Sequence, residues 1–416
     1  MQKPINVFTM SSVLEKFLSY VKISSPSDPA TLMSPSTPGQ MALALVLSRE
    51  MTEMGMIDVA VDDYGYVMGF LPSNTEEKTK NLGFIAHMDT SPRCNGKNIR
   101  PQIIENYKGG NIILDKEKGI ILKISESPEL NNYIGQTIIT SDGKTLLGAD
   151  DKAGIAEILT AIEYLINHPD IPHGRISVCF APDEEIGLST EHFDINRFEA
   201  DYAYTLDGGE IGAIEYENFN AAIAYITING KGYHPGYAKN KMLNAIIVAW
   251  DFIGKLPFSD FPEKSSGHEG YIFVDNISGD VEKATIEILI RDFDKTEIEK
   301  KKLLISDLVK DMEIKYSADI DIVIRDQYFN MKDKIQPVIF IVDLAKRAMH
   351  DVGVNSVTSP IRGGTDGSML SHKGMPTPNL FVGYQNSHGR YEYIPLESME
   401  KAVEVIVKLA ELFTTL

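Results

Sequence analysis

Four stretches of this 416-residue chain end an apolar run on acids or a histidine. Residues 82–86 lead into His87-Met88-Asp89, and residues 146–149 into Asp150-Asp151-Lys152. Residues 176–182 lead into Asp183-Glu184-Glu185, and residues 204–206 into Asp207-Gly208-Gly209. Singly, each has an ordinary explanation. Asp150 is placed to cap a following helix. Asp207 before two glycines reads as a turn former, Glu184-Glu185 as a solvated turn, and a strand-end histidine as structural. Jointly they point elsewhere, because several carboxylates gathered around a histidine without a cation would repel one another. A divalent metal removes that conflict, and Zn²⁺ accepts this nitrogen and oxygen donor set.

Such groups meet only if the fold brings strand ends together. Val13, Phe17, Leu18 and Val21 have helical spacing and predict a helix over 11–23, with a second over 38–54. Residues 57–71 read as a hairpin turning at Asp62-Asp63-Tyr64-Gly65, and 81–86 as a short buried strand. Residues 91–147 are Gly-rich and irregular, with strands expected near 111–114 and 119–124. From Ala149 a helix (153–167), a strand (175–180), a short helix and a strand (202–206) alternate. That order implies a mainly parallel sheet covered on both faces. In such a sheet ligands bind beyond the carboxyl ends of the strands, which is where the four endings fall.

Residues 217–332 change rhythm. A strand (222–229), a helix (240–256), two strands (271–277 and 283–291) joined around Gly279-Asp280, a helix (295–316) and a strand (319–325) spell βαββαβ. This is the ferredoxin-like order, a self-contained unit. Residues 337–351, 379–382 and 396–413 then return to the first domain. The expected fold is α/β, with a mainly parallel catalytic domain from 1–216 and 333–416 and a ferredoxin-like domain, 217–332, inserted in it.

Composition narrows the function classes. The chain carries 59 acids against 40 bases, a net charge of −19, which disfavours nucleic acid or an anionic membrane as partner. Hydrophobic residues at 43% and charged residues at 24% are ordinary for a soluble protein. Cys94 and Cys179 suggest no disulfide framework, Cys179 lying in the apolar run Ile176-Ser-Val-Cys-Phe180, so a reducing compartment fits. Residues 1–7 have no apolar core of signal-peptide length, and no stretch is long enough to span a bilayer. The expectation is a cytoplasmic protein.

The motifs resemble the peptidase T family, tripeptide aminopeptidases within the superfamily of dinuclear-zinc aminoacylases and carboxypeptidases. The resemblance is carried by His87-Met-Asp89, Leu147-Gly-Ala-Asp-Asp-Lys-Ala-Gly154, Ala181-Pro-Asp-Glu-Glu-Ile-Gly187, Asp207-Gly-Gly209 and Asn386-Ser-His-Gly389. It continues through Glu215-Tyr-Glu-Asn-Phe-Asn220, His234-Pro-Gly-Tyr-Ala-Lys239, Ile290-Arg-Asp-Phe-Asp294 and Pro360-Ile-Arg-Gly-Gly-Thr-Asp-Gly367. It runs in order along nearly the whole chain, less closely at the N-terminal end. It implies a zinc-peptidase catalytic domain with the inserted domain as a lid, and two Zn²⁺ per chain. Asp150 would bridge the two ions, His87 and Asp207 would complete one site, and Glu185 and His388 the other. Asp89 would hydrogen-bond the far nitrogen of His87 and fix its tautomer. Glu184 would be the general base. Chemistry allows this division: two metals ~3.5–4 Å apart can share one carboxylate and activate a water, while a neighbouring non-ligand carboxylate moves the proton. Which of the two adjacent glutamates is the base comes from the resemblance alone.

The resemblance also makes His234 a donor to the developing oxyanion. It makes Arg362, before Gly363-Gly364, a grip for a peptide carboxylate, with Arg291 as the alternative. The ordinary readings are an exposed loop histidine and surface ion pairs. One departure stands out: Gln385-Asn386-Ser387 precede His388 where the family often has an aromatic residue beside the histidine, which changes pocket lining and substrate preference rather than a ligand. The expected activity is release of the N-terminal residue from short peptides, tripeptides first. A dipeptidase, carboxypeptidase or amide deacylase of the same chemistry is the alternative, and a catalytically silent peptide binder the rival from another class. The oligomeric state stays open, with a homodimer one option.

Overall fold

Strands that are mostly apolar on both faces need cover on both sides, and Leu82–His87 and Ile176–Ala181 are buried at every position. In the structure, a computed structural model describing residues 8–31 and 33–416, these strands lie at the middle of an eight-stranded sheet. Its spatial order is Ile57–Val61, Val67–Leu71, Ile176–Ala181, Leu82–His87, Tyr202–Gly208, Asn379–Phe381, Ala213–Glu215 and Val357–Thr358. The four strands from Ile176–Ala181 to Asn379–Phe381 run parallel to one another. The hairpin at one end and Ala213–Glu215 near the other pair antiparallel with their inner neighbours. The expected mainly parallel α/β sheet is present. The reading of residues 1–7 lies outside the described residues.

The chain divides into two compact units. One comprises residues 1–216, 333–359 and 365–416, the other residues 217–332 and 360–364. In the first, the helix Ala149–Asn167 packs on Leu82–His87 and Tyr202–Gly208 and on the helices Phe8–Tyr20 and Leu396–Phe413. It is buried from Ala149 through Ile162. Gly154 permits the close approach: a Cβ there would collide with the Leu206 carbonyl and the Asp151 carboxylate.

The second unit is a four-stranded antiparallel sheet in the order Tyr271–Gly279, Lys283–Asp292, Asn220–Asn229, Asp319–Tyr328. With the helices Ala245–Ile253 and Lys295–Tyr316 it has the ferredoxin-like order and pairing. Ala222, Ala224, Ile226, Ile228, Ile286, Ile288 and Ile290 form its core with Val248, Phe252, Ile305 and Val309 of the helices. The first of these helices is shorter than the 240–256 expected from periodicity. Lys231 and Leu243 exchange backbone hydrogen bonds, and the Asn244 side chain accepts the Ile246 N–H. The cap starts the helix there, after a chain segment already committed to pairing.

Candidate metal centre

The four parallel strands end on one edge, and each brings chemistry to it. Ile176–Ala181 runs into Glu184 and Glu185, Leu82–His87 ends on His87 with Asp89 just beyond, Tyr202–Gly208 contains Asp207, and the chain after Asn379–Phe381 reaches His388. Asp150 arrives from elsewhere, at the start of the helix Ala149–Asn167. It does not cap that helix. Gly148, left-handed at φ 79°, is the N-cap residue, and Asp150 and Asp151 have non-helical backbone angles.

Asp150 instead faces two histidines. Its Oδ1 lies 2.9 Å from His87 Nε2 and its Oδ2 3.1 Å from His388 Nε2. His87 Nε2 is also 3.6 Å from Asp207 Oδ1, and His388 Nε2 is 3.0 Å from Glu185 Oε2. The side chains of His87, Asp150 and Glu185 are 2%, 7% and 4% exposed, whereas His388 is 41% exposed. All five expected ligands are therefore gathered, and one carboxylate divides its two oxygens between two donor groups. Donor atoms of His87, Asp150 and Glu185, and of His87, Asp151 and Asp207, lie within 4.8 Å of one another.

The arrangement fits divalent cations. Glu185 Oε1 and Asp151 Oδ1 are buried with no hydrogen-bond partner, and a buried carboxylate oxygen without a partner is unfavourable unless an ion satisfies it. The electrostatics agree. Burial works against charge on His87, yet hydrogen bonds to Asp150, Asp207 and Asp89 raise its imidazolium well above the usual histidine range. Hydrogen bonds to Asp150 and Glu185 lift His388 to about 10. Burial pushes up Asp207 and Glu185, while for Asp150 burial is outweighed by the two histidines and its carboxyl is held low. Acids and imidazoles so matched compete for protons that a dication displaces.

Asp89 does more than address His87. It is fully buried, its Oδ1 accepts the Glu184 N–H at 2.9 Å and its Oδ2 the Glu185 N–H at 3.1 Å. Its Oδ1 is 3.3 Å from His87 Nδ1, which also has the Asp89 carbonyl at 3.1 Å. One carboxylate thus ties the strand end carrying a histidine to the turn carrying both glutamates. Glu184 is partly exposed and points no side-chain bond at a ligand; burial of its carboxyl, then the Asp207 charge, push its pKa well up.

Sequence reasoning missed several supports. Asp183, left-handed at φ 59° and fully buried, accepts from the Ser36 N–H and hydroxyl and from Gln40 Nε2, and its own N–H donates to Gln40 Oε1. Ser25 Oγ donates to the Met88 carbonyl, and the Thr90 N–H donates to Ser25 O. An N-terminal segment therefore braces both the His87 strand end and the Glu184 turn. The Tyr384 hydroxyl donates to the Asp207 carbonyl at 2.8 Å. A polar residue in an apolar run, such as Gln40, was the only signal for these.

His234, Arg291 and Arg362 belong to the second unit. His234 is exposed and its Nδ1 accepts the Gly236 N–H. Arg291 is 8% exposed, donates to the Ala222 and Ile290 carbonyls, and lies over the Tyr328 ring. Arg362 donates to the Gly267 and Glu269 carbonyls and to Ser265 Oγ, and stacks over Phe219 and Tyr271. Both arginines thus spend donors inside their own unit, and neither is in an ion pair with an acid among the described residues.

The sequence profile of peptidase family M20/M25/M40 matches residues 140–412. The chain belongs to that family. Among its M20/M25/M40 relatives is peptidase T of Caldanaerobacter subterraneus subsp. tengcongensis, 52% identical over 405 residues, which are 97% of this chain and 99% of the relative. The aminopeptidase PepT of Bacillus cereus, a solved structure, superposes with a TM-score of 0.76 at 26% identity, covering 97% of this chain and 98% of that one. A tripeptidase of Staphylococcus aureus shares the fold at a TM-score of 0.78 and 21% identity, covering 98% and 99%. The M20/M25/M40 assignment agrees with the resemblance read from the motifs. Among the described residues no helix is long and apolar enough to cross a membrane.

Proposed function

We propose that this metallopeptidase is a tripeptide aminopeptidase that holds two zinc ions and releases the N-terminal residue of short peptides. The observation that carries the metal part is Asp150, whose two oxygens face His87 on one side and His388 on the other. His87, Asp150 and Asp207 would hold one ion, and Asp150, Glu185 and His388 the second, with Asp151 close to the first group. Bound there, the cations would acidify a water and polarise the scissile carbonyl.

Glu184 then has the base's task. It is held beside the ligands by the Asp89 carboxylate through its backbone N–H, and a carboxylate there that is not itself a ligand would take a proton from water and return it to the leaving amine. Asp89 keeps the His87 and Glu185 segments in register with that base. His234 is proposed as donor to the developing oxyanion, and Arg362, with Arg291 as alternative, as partner of the peptide's C-terminal carboxylate. The substrate class is supported by the peptidase T relative and by the PepT and tripeptidase structures. The free Cys94 and Cys179 suit a reducing compartment, the cytoplasm.

The test is a substrate series: a free tripeptide, its N-acetyl form, its C-terminal amide, and the matching dipeptide and tetrapeptide. The proposal expects the free tripeptide to be cleaved best, and N-acetylation to abolish cleavage. Preferred cleavage of the N-acetyl form would mean a carboxypeptidase or deacylase instead, and preferred cleavage of the dipeptide a dipeptidase.

A further inference from the structure

Glu392 is 1% exposed, yet it carries a carboxylate that the proposed chemistry does not use. All of its close partners are backbone. Its Oε2 accepts the N–H groups of Leu147 at 2.7 Å and Gly148 at 2.8 Å, and its Oε1 accepts that of Asp150 at 3.0 Å. These donors point at one place because Gly148 is left-handed and Asp150 is non-helical, so the segment forms a concave nest of amides around an anion. Removing a carboxylate from water is unfavourable unless such bonds replace it. Loop closure alone would be served by any neutral side chain. What a carboxylate adds is two acceptor oxygens, enough for the three amide donors at once.

Glu392 is also placed to couple two parts of the centre. It follows His388 by four residues, on a loop closed by reciprocal backbone bonds between Gln385 and Tyr393. Thr140 Oγ1 fixes its carbonyl at 2.8 Å. One closed loop therefore supplies a histidine to one oxygen of Asp150 and a clamp to the Asp150 backbone.

We propose that Glu392 is a positioning residue that shapes residues 147–150 before any metal arrives, so that the Asp150 carboxylate already stands between His87 and His388. This rests on the reading of Asp150 as the shared metal ligand. The prearranged segment spares binding the cost of ordering it, and outer partners of metal ligands commonly govern affinity by 10–100-fold.

Two experiments on the full-length protein test this. In the metal-free wild type, amide hydrogen exchange should show the Leu147, Gly148 and Asp150 amides already protected, with little change on adding zinc. Protection that appears only with zinc would overturn the proposal, and this measurement does not depend on any variant folding. In Glu392→Gln, one side-chain oxygen remains for three donors, and the amide NH₂ meets an N–H. Zinc titration against a chromophoric chelator should show binding weakened by roughly 10–100-fold, and the visible spectrum of the cobalt-loaded variant should differ from wild type at saturation. A general loss of stability would not alter that spectrum. Wild-type affinity together with a wild-type cobalt spectrum would overturn the proposal. Asp150→Ala separates the two levels: if it keeps both metals, the shared-ligand reading falls and this inference with it. If it loses both while Glu392→Gln behaves as wild type, only the role of Glu392 falls.

Discussion

Asp89→Asn removes one charge and one acceptor from the carboxylate that ties the His87 strand end to the glutamate turn. The carboxylate offers Oδ1 to the Glu184 N–H and to His87 Nδ1, and Oδ2 to the Glu185 N–H. An amide keeps one oxygen, so at least one backbone N–H of the glutamate turn would face an NH₂ group. A buried hydrogen bond to a charged partner is worth about 1.5–3 kcal/mol, and about 1.4 kcal/mol is a factor of ten. The glutamate turn should therefore leave its working position at a cost of roughly 10–100-fold in kcat. His87 fares better, because its Nδ1 also has the Asp89 backbone carbonyl at 3.1 Å, which the substitution leaves in place. The expected result is a variant that still takes up two equivalents of zinc at saturation but turns over tripeptide 10–100 times more slowly. Steady-state kinetics on zinc-saturated enzyme, with elemental analysis of the same sample, measures both. A kcat equal to wild type would refute the idea that this carboxylate holds the turn. Loss of zinc at saturation would mean instead that Asp89 acts chiefly through His87.

Three further substitutions probe separate parts of the account. Glu184→Gln should retain both metals and lose on the order of 10²–10⁴ in kcat; near-normal turnover of the metal-loaded variant would remove Glu184 as base. Gln40→Ala strips the buried Asp183 carboxylate of one donor and its N–H of an acceptor. It should lower the melting temperature and reduce kcat with KM nearly unchanged, and wild-type values of both would show that the brace is idle. Glu400 is a control away from the ligands: burial, then Glu397 and Glu404, raise its pKa from 4.5 to about 7, and its Oε1 has no partner. A folded-state pKa above the unfolded one means no cost below about pH 4.5, a growing cost up to pH 7 and the full cost above it. Glu400→Gln should raise the melting temperature at pH 8, by on the order of 1 kcal/mol in stability after solvent screening, and leave it unchanged at pH 4.5. A gain of equal size at both pH values would contradict the titration.

The parts of the fold set by local pattern were legible in the sequence. Strands alternating with helices after residue 149 announced a mainly parallel sheet covered on both faces, and the changed rhythm of residues 217–332 announced the ferredoxin-like unit. The gathering of His87, Glu185 and Asp207 was legible because parallel strands deliver their C-terminal ends to one edge, whereas Asp150 follows no strand of that sheet and comes in at the start of the helix Ala149–Asn167. Other features depend on partners far away in the chain. The start of the helix Ala245–Ile253 is decided by the pairing of Leu243 with Lys231, which competes with a helical pattern that periodicity alone would extend. Asp183 and Gln40 are 143 residues apart, and a polar residue such as Gln40 in an apolar run signals that it has a buried partner without saying which residue it is. Asp89 was visible as a companion of His87, but its bonds to the Glu184 and Glu185 amides are backbone contacts, which leave no trace in residue types. The same holds for Glu392, which reads as one more acid beside an apolar run until its three amide donors are seen.

The most direct test is to count metal in two proteins prepared side by side. The wild type, stripped and then titrated with zinc, should bind two equivalents per chain, with activity on a free tripeptide returning as they bind. Asp150→Ala should lose both equivalents together, because one carboxylate serves both donor groups. A wild type that binds one equivalent or none, or an Asp150→Ala protein that still binds two, would contradict the shared-carboxylate metal centre.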